Sequence, residues 1–232
     1  MITIRRSTER GHVHSDWLES FHTFSFGDYY DPEHMGFSHL RVINQDTIQP
    51  SQGFGMHSHH DMEIITYVTQ GELAHKDSLG TGSVIKPGEI QRMSAGKGIR
   101  HSEFNHSKTD TVKLLQIWVM PNQKGVEPSY EQKTIPAVKN EWILLASSAE
   151  DSGLVKTHQD AKLYVAYLND FASIEYCFKD ATRCGWLQVV QGAVLVNGKT
   201  LHAGDGAAVI DEPTIQIECK QNAELLWFDL LR

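Results

Sequence analysis

From Leu40 to the C-terminus the chain alternates apolar and polar residues with a period of two, and that alternation limits the fold more than any other feature. The runs LRVINQDTI, MEIITYVTQGELAH, VKLLQIWVM, LYVAYL, GWLQVVQGAVLVNG and ELLWFDL are short and rich in β-branched or aromatic residues. Turn sequences such as SLGTG, KPGE, AGKG, VNGK and HAGDG separate them. Residues two apart on a strand share a face, so each run can bury one side of a sheet. Many short strands punctuated by Gly and Pro predict an all-β protein built as barrels or sandwiches. Helical patterns are scarce. The segment SYEQKTIPAV reads as a polar linker and places a boundary near Pro136, giving a first domain over residues 1–134 and a second over 135–232.

The two halves repeat. YVTQGELAH at 67–75 resembles QVVQGAVLV at 188–196, and KPGE at 86–89 resembles HAGD at 202–205. Gly71 then matches Gly192 and Gly88 matches Gly204, so the chain reads as two copies of one β-unit.

Charge and composition remove several function classes. Of 232 residues, 40% are hydrophobic and 22% charged, as in an ordinary globular protein. There are 21 basic and 29 acidic residues, net −8, without a block of like charge. Direct nucleic-acid binding needs a basic stripe and is not expected. The opening MITIRRSTERGHVH has no secretory apolar core and no later stretch approaches a membrane span, so a cytoplasmic protein without membrane contact is the expectation. Cys177, Cys184 and Cys219 are an odd number with no C-x-x-C pair, which argues against disulfides or a thiolate metal site and for small buried hydrophobes.

Chemistry concentrates in GFGMHSHHDMEIITYVTQGE at 53–72. With 13 histidines an H-x-H arises about once by chance, and His12 and His14 form another, so the pattern alone carries little. Weight comes from SAGKGIRHSEFN, where His101 and Glu103 repeat the two-residue spacing. His57 and His59 share one strand face, and His101 and Glu103 share another. If those strands are neighbours, four donors converge. Three neutral imidazoles and a carboxylate suit iron, manganese, cobalt, nickel, copper or zinc and do not suit calcium or magnesium. His60 faces the opposite way under strict alternation and reads as an outer-wall residue.

These residues carry a resemblance. The H-x-H, the apolar strand ending in Gly, the P-G-E turn and the following G-x-x-H resemble the two motifs of the cupin superfamily. More narrowly, FHTFSFGDYYDPEHMGFSHLRVINQD, HSHHDMEIITYVTQGELAHKDSLG, PGEIQRMSAGKGIRHSEFN and LQIWVMP look like the bacterial pirin family, over most of residues 20–121. The C-terminal half, with KTHQDAKLYVAYL and LLWFDL, is similar but less distinctive.

The resemblance implies a bicupin, two stacked jelly-roll-like β-barrels, with one divalent transition metal per chain in the N-terminal barrel, Fe(II) first among those candidates. Matched motif to motif, the ligands would be His57, His59, His101 and Glu103. Ordinary cupins take the carboxylate from the first motif, here Glu63, but that residue lies roughly 13 Å along the strand from His59 and reaches the metal only through a bend. Glu103 is therefore assigned as ligand and Glu63 as a buried partner orienting an imidazole. The implied activity is that of a quercetin 2,3-dioxygenase, with a flavonol and O2 as substrates, and Glu103, as the carboxylate the motif puts beside the metal, would serve as ligand, as catalytic base, or as one after the other. The alternative is an iron redox sensor without enzymatic activity, acting through a regulatory protein partner. A monomer is expected.

Counting from the matched glycines, His57, His59, His101 and Glu103 correspond to Phe178, Asp180, Ile217 and Cys219 in the second copy, which is not a metal site. In the aromatic run WLESFHTFSFGDYY, Trp17, Phe21, Phe24, Phe26 and Tyr29 are assigned to the core over a flat substrate's pocket. His22, Met93 and Phe104 are left open.

Overall fold

The computed structural model describes residues 1–148 and 152–232. The first strands are β1 (Ile2–Arg5), β2 (Gly11–His14), β3 (Leu18–His22), β4 (Leu40–Ile48), β5 (Gly53–His59), β6 (Glu63–Gln70) and β7 (Leu73–Asp77). There follow β8 (Gly82–Ile85), β9 (Glu89–Ser94), β10 (Ile99–Asn105), β11 (Val112–Val119), β12 (Ser129–Thr134), β13 (Ile143–Ser147) and β14 (Val155–Lys156). The last are β15 (Ala161–Leu168), β16 (Ser173–Cys177), β17 (Arg183–Val196), β18 (Lys199–His202), β19 (Gly206–Val209) and β20 (Thr214–Leu231). One 3-10 turn, Ser7–Glu9, is the helical content among the described residues, and no helix there is long and apolar enough to cross a membrane. The fold is all-β, as the period-two pattern requires.

The chain divides into two compact units. The first comprises Gly11–Ile135 with Leu154–Gln159, the second Met1–Arg10, Pro136–Gly153 and Asp160–Arg232. Sequence order did not anticipate that residues 1–10 join the second unit. There β1 pairs antiparallel with β19, Ile2 opposite Val209 and Arg5 opposite Gly206, and covers an otherwise open edge.

The first unit is a jelly-roll-like pair of sheets, one ordered β12-β9-β6-β11-β4-β3-β2 and the other β5-β10-β7-β8. Ile48, Val68, Val112 and Leu114 of the larger sheet meet Leu73 and Ile85 of the smaller in one apolar cluster, with Trp17 and Phe54 against it. A second cluster joins Ile64, Met93, Ala95 and Ile99, with Trp118 against it. Met93 is thus core, whereas Phe104 is exposed. The polar segment read as a linker, SYEQKT, is instead the edge strand β12, with Ser129 opposite Ser94 and Thr134 opposite Glu89. An edge strand with both faces partly wet needs no apolar alternation, so its sequence hides it.

In the second unit β1-β19-β17-β20-β15-β13 run in order, with β16 on β20 and β18 on β17. The internal repeat is real at the level of backbone: Gly71 and Gly192 have φ of +75° and +83°, and Gly88 and Gly204 +82° and +84°. A Cβ at Gly71 would lie 2.7 Å from the Thr111 carbonyl oxygen and one at Gly192 2.3 Å from that of Asn222, so the same tight turn recurs. The register nevertheless corrects the counted correspondence. His101 pairs with His57 and Ile99 with His59, whereas Ile217 pairs with Ile174 and Ile215 with Tyr176. Ile174 and Tyr176, rather than Phe178 and Asp180, therefore occupy the first-motif positions. The connection from β16 to β17 is longer than that from β5 to β6, and β17 carries several register irregularities, which a residue count cannot see. Ile217 and Cys219 are core. Cys184 is buried too, but Cys177 is exposed.

Candidate metal centre

The centre forms where β5 and β10 run side by side. His101 sits directly opposite His57, and an irregularity after His101 brings Glu103 opposite Phe54. Antiparallel partners share a face, so β10 carries His101 and Glu103 inward beside His57 of β5. The rings converge: His57 and His101 centroids are 4.4 Å apart, His57 and His59 4.7 Å, and His59 and His101 4.9 Å. One donor atom each of His57, His59 and His101 lies within 4.8 Å of the other two.

Local bonds set how these donors are presented. His57 Nδ1–H donates to the Gly55 carbonyl at 2.7 Å, leaving Nε2 as a lone pair. Glu103 is 3% exposed and accepts from Gln116 Nε2 at 2.8 Å and Thr66 Oγ1 at 3.3 Å. Burial raises its pKa against the counteracting bond from Gln116. Burial with the neighbouring imidazoles pushes His101 down to about 2 and His59 down to about 4. Both rings are therefore neutral at pH 7, the form that ligates a metal. Both nitrogens of His101 are buried without a hydrogen-bond partner among the described residues. Buried imidazole nitrogens held neutral and unpartnered are what a first-row divalent ion would satisfy, so this donor set fits such an ion.

The same side chains line a cavity of about 420 Å³. Trp17, Phe26, Phe54 and Trp118 form apolar walls, and Asn44, Asp46 and Gln116 add polar groups. Trp118 stands edge-on to His59 at 4.9 Å and to Phe26 at 5.3 Å. Asp46 bonds Ser20 and is pushed up to about 7 by burial, with the nearby Glu103 charge adding. The aromatic run thus splits: Trp17 and Phe26 face the cavity, Phe24 is core, Phe21 stacks on His12, and Tyr29 packs over Gly11. His22 is buried edge-on to Phe26.

Three residues bear on the first-motif expectations. His60 is exposed and its Nδ1–H donates to the Lys97 carbonyl at 3.2 Å, away from the cavity. Glu63 is buried and does orient an imidazole, but that of His158, at 3.1 Å, while its other oxygen accepts from Ser94 Oγ at 2.8 Å. Parity is the reason: Ile64 lines the cavity and Thr66 bonds Glu103, so Glu63 points to the opposite face of β6. His75, which sequence reasoning passed over, lies with His101 and Glu103 in a second group whose donor atoms are within 4.8 Å of one another. Its signal was the H-x-D spacing of AHKD, hidden at the end of an apolar strand.

The second unit has filled the equivalent space. Leu187 and Trp227 are opposite one another, as Thr66 and Gln116 are in the first unit, each pair's first member lying five residues before the matched glycine. Trp227 is fully buried, with the rings of Tyr176 and Phe178 at 5.3 and 5.6 Å. A Cβ on Gly185 would lie 2.0 Å from the Trp227 ring, so glycine there makes room for the indole.

Comparison with known proteins agrees with this architecture. The sequence profile of the Pirin family matches residues 3–119, and that described as the quercetinase C-terminal cupin domain matches residues 144–230. The chain is 49% identical over 231 residues to an Escherichia coli K12 protein named quercetin 2,3-dioxygenase, covering 99% of each chain. The crystal structure of YhhW from Escherichia coli superposes with a TM-score of 0.96 at 47% identity, over 99% of this chain and 97% of that one. A structure of the bacterial pirin YhhW in complex with nickel(II) superposes with a TM-score of 0.95 at 47% identity, over 100% of this chain and 99% of that one.

Proposed function

The chain belongs to the pirin family, and from that premise we propose that it is a mononuclear metal-dependent dioxygenase that opens the central ring of flavonols such as quercetin with O2. The observation that carries this reading is that the three imidazoles and Glu103 line one aromatic-walled cavity of about 420 Å³, the size class of small-ligand sites.

His57, His59, His101 and Glu103 would hold the ion, Fe(II) or another first-row divalent metal. Such an ion would supply Lewis acidity toward a substrate hydroxyl. The protein does the rest. Trp17, Phe26, Phe54 and Trp118 sandwich a flat ring system and keep bulk water from it. Glu103, buried in the cavity wall beside the imidazoles, takes the proton of the substrate hydroxyl. Gln116 and Thr66 hold its carboxylate in place while it does so.

Oxygen uptake with quercetin tests the reading. Metal-loaded protein should consume O2, stripped protein should not, and Glu103→Gln should lose about 10²- to 10⁴-fold in turnover at equal metal content. Loaded protein that takes up no O2 with any of a flavonol panel would overturn the enzymatic reading and favour a metal-dependent sensor acting through a protein partner.

A further inference from the structure

Of the candidate ligands, two have a visible means of orientation at the far side, and His59 is half-buried. His57 is held by the Gly55 carbonyl, and Glu103 by Gln116 and Thr66. His101, the most deeply buried imidazole of the group, has no hydrogen bond at either nitrogen among the described residues. A histidine that gives one nitrogen to a metal still carries a proton on the other and needs an acceptor for it.

The acceptor is at hand on β7, the strand on the other side of β10. His75 is opposite Glu103 and Asp77 opposite His101, so all four point to one face. Asp77 Oδ1 accepts from the backbone N–H groups of Leu79 at 2.9 Å and Thr81 at 3.0 Å, and Oδ2 lies 3.1 Å from His75 Nε2. A carboxylate that already gathers two backbone donors is an acceptor, so the proton of this contact resides on His75 Nε2. In the neutral ring Nδ1 is then a lone pair, and Nδ1 is buried without a partner among the described residues. The Tyr130 ring packs against the imidazole at 4.8 Å and limits its rotation. The ring centroids of His75 and His101 are 5.4 Å apart.

We propose that His75 and Asp77 are positioning residues for His101: the His75 lone pair accepts the outward N–H of His101, directly or through one water, and Asp77 fixes the tautomer that makes this possible. The inference rests on the reading of the site as a metal centre. An unmatched donor on His101 and an unmatched acceptor on His75, both buried in one cluster, satisfy each other once a metal commits the other His101 nitrogen.

The test is Ni(II) affinity by chelator competition on the whole chain, with circular dichroism of each variant. His75→Leu should weaken Ni(II) binding about 10- to 100-fold while the β-sheet spectrum is unchanged. His75→Gln, whose amide can accept from His101 and donate to Asp77, should recover most of the loss. In parallel, ¹⁵N NMR of histidine side chains in Zn(II)-loaded wild type should show His75 protonated at Nε2 alone and the free His101 N–H protected from exchange. Affinity within threefold of wild type for His75→Leu, equal losses in both variants, or a His75 proton on Nδ1 would overturn the proposal, and the NMR result stands even if a variant fails to fold. Wild type that binds no metal would instead overturn the metal-centre reading itself and take this inference with it.

Discussion

Gln116→Leu isolates how much the protein invests in one carboxylate. Gln116 Nε2 donates to Glu103 Oε2 at 2.8 Å, and Gln116 Oε1 accepts from Thr66 Oγ1 at 3.1 Å. Leu fills a similar volume but removes the donor, and with the Gln116 oxygen gone the single Thr66 O–H proton, shared between the two acceptors before, turns wholly to Glu103. A buried hydrogen bond to a charged group contributes about 1.5–3 kcal/mol. At about 1.4 kcal/mol per decade this corresponds to roughly one to two decades of preference for the ionised carboxylate. The sign follows: burial already favours the protonated acid, losing the donor favours it further, and a metal must then displace that proton. Ni(II) affinity should fall by up to about 10- to 100-fold as the pH is lowered toward 6, and the gap to wild type should narrow at pH 8, where the proton competes less. Chelator competition at both pH values measures it. Affinity within threefold of wild type at pH 6, or an equal loss at both pH values, would refute the reasoning.

Glu63→Gln should leave metal affinity unchanged and cost about 1 kcal/mol of stability through the bonds to Ser94 and His158, as read by chelator competition and urea unfolding; an emptied site would return the carboxylate ligand to the first motif. Proton release on Ni(II) binding at pH 6, from calorimetry in buffers of different ionisation enthalpy, should contain no contribution from His59 or His101, which are held neutral far below that pH. Two imidazoles of ordinary pKa would instead release about 1.5 protons there, so a total of two or more counts against the depressed values. Gly192→Ala forces a Cβ into a φ of +83° and to 2.3 Å from two carbonyl oxygens. It should cost more than about 1 kcal/mol and lower Tm by several degrees in a melt followed by circular dichroism, without affecting metal affinity in the first unit; an unchanged Tm would show that the turn tolerates a side chain.

Much of this was legible in the sequence because its causes are local. Alternation of period two marks strands buried on one face, and Gly71 and Gly192 reveal the repeat because only glycine suits that turn. The i, i+2 histidines needed just one long-range fact, that β5 and β10 are neighbours, to converge. What escaped depends on tertiary context. Gln116 and Thr66 sit inside apolar runs and look like noise until the carboxylate they hold is placed. Glu63 does orient an imidazole, but which one, His158, could not be read because strand parity is invisible until one residue of β6 is tied to the cavity. The polar strand β12 resembles a loop because an edge needs no apolar face, and the second-copy positions slipped because loops change length more easily than registers change.

The placement of β1 has a consequence for how the polypeptide is made. Ile4 must find Ala207, a partner translated about 200 residues later. During synthesis that strand has nothing to pair with, while the segment from Gly11 onward already contains the complements for its own sheets. Closing so long a span would cost roughly (3/2)RT ln n, between 4 and 5 kcal/mol, were all of it flexible, and folding of the segment from Gly11 onward shortens it. Vectorial synthesis therefore leaves an early-made, half-apolar strand waiting on the last sheet to assemble, a window in which it is available to a chaperone or to the same edge of another nascent chain.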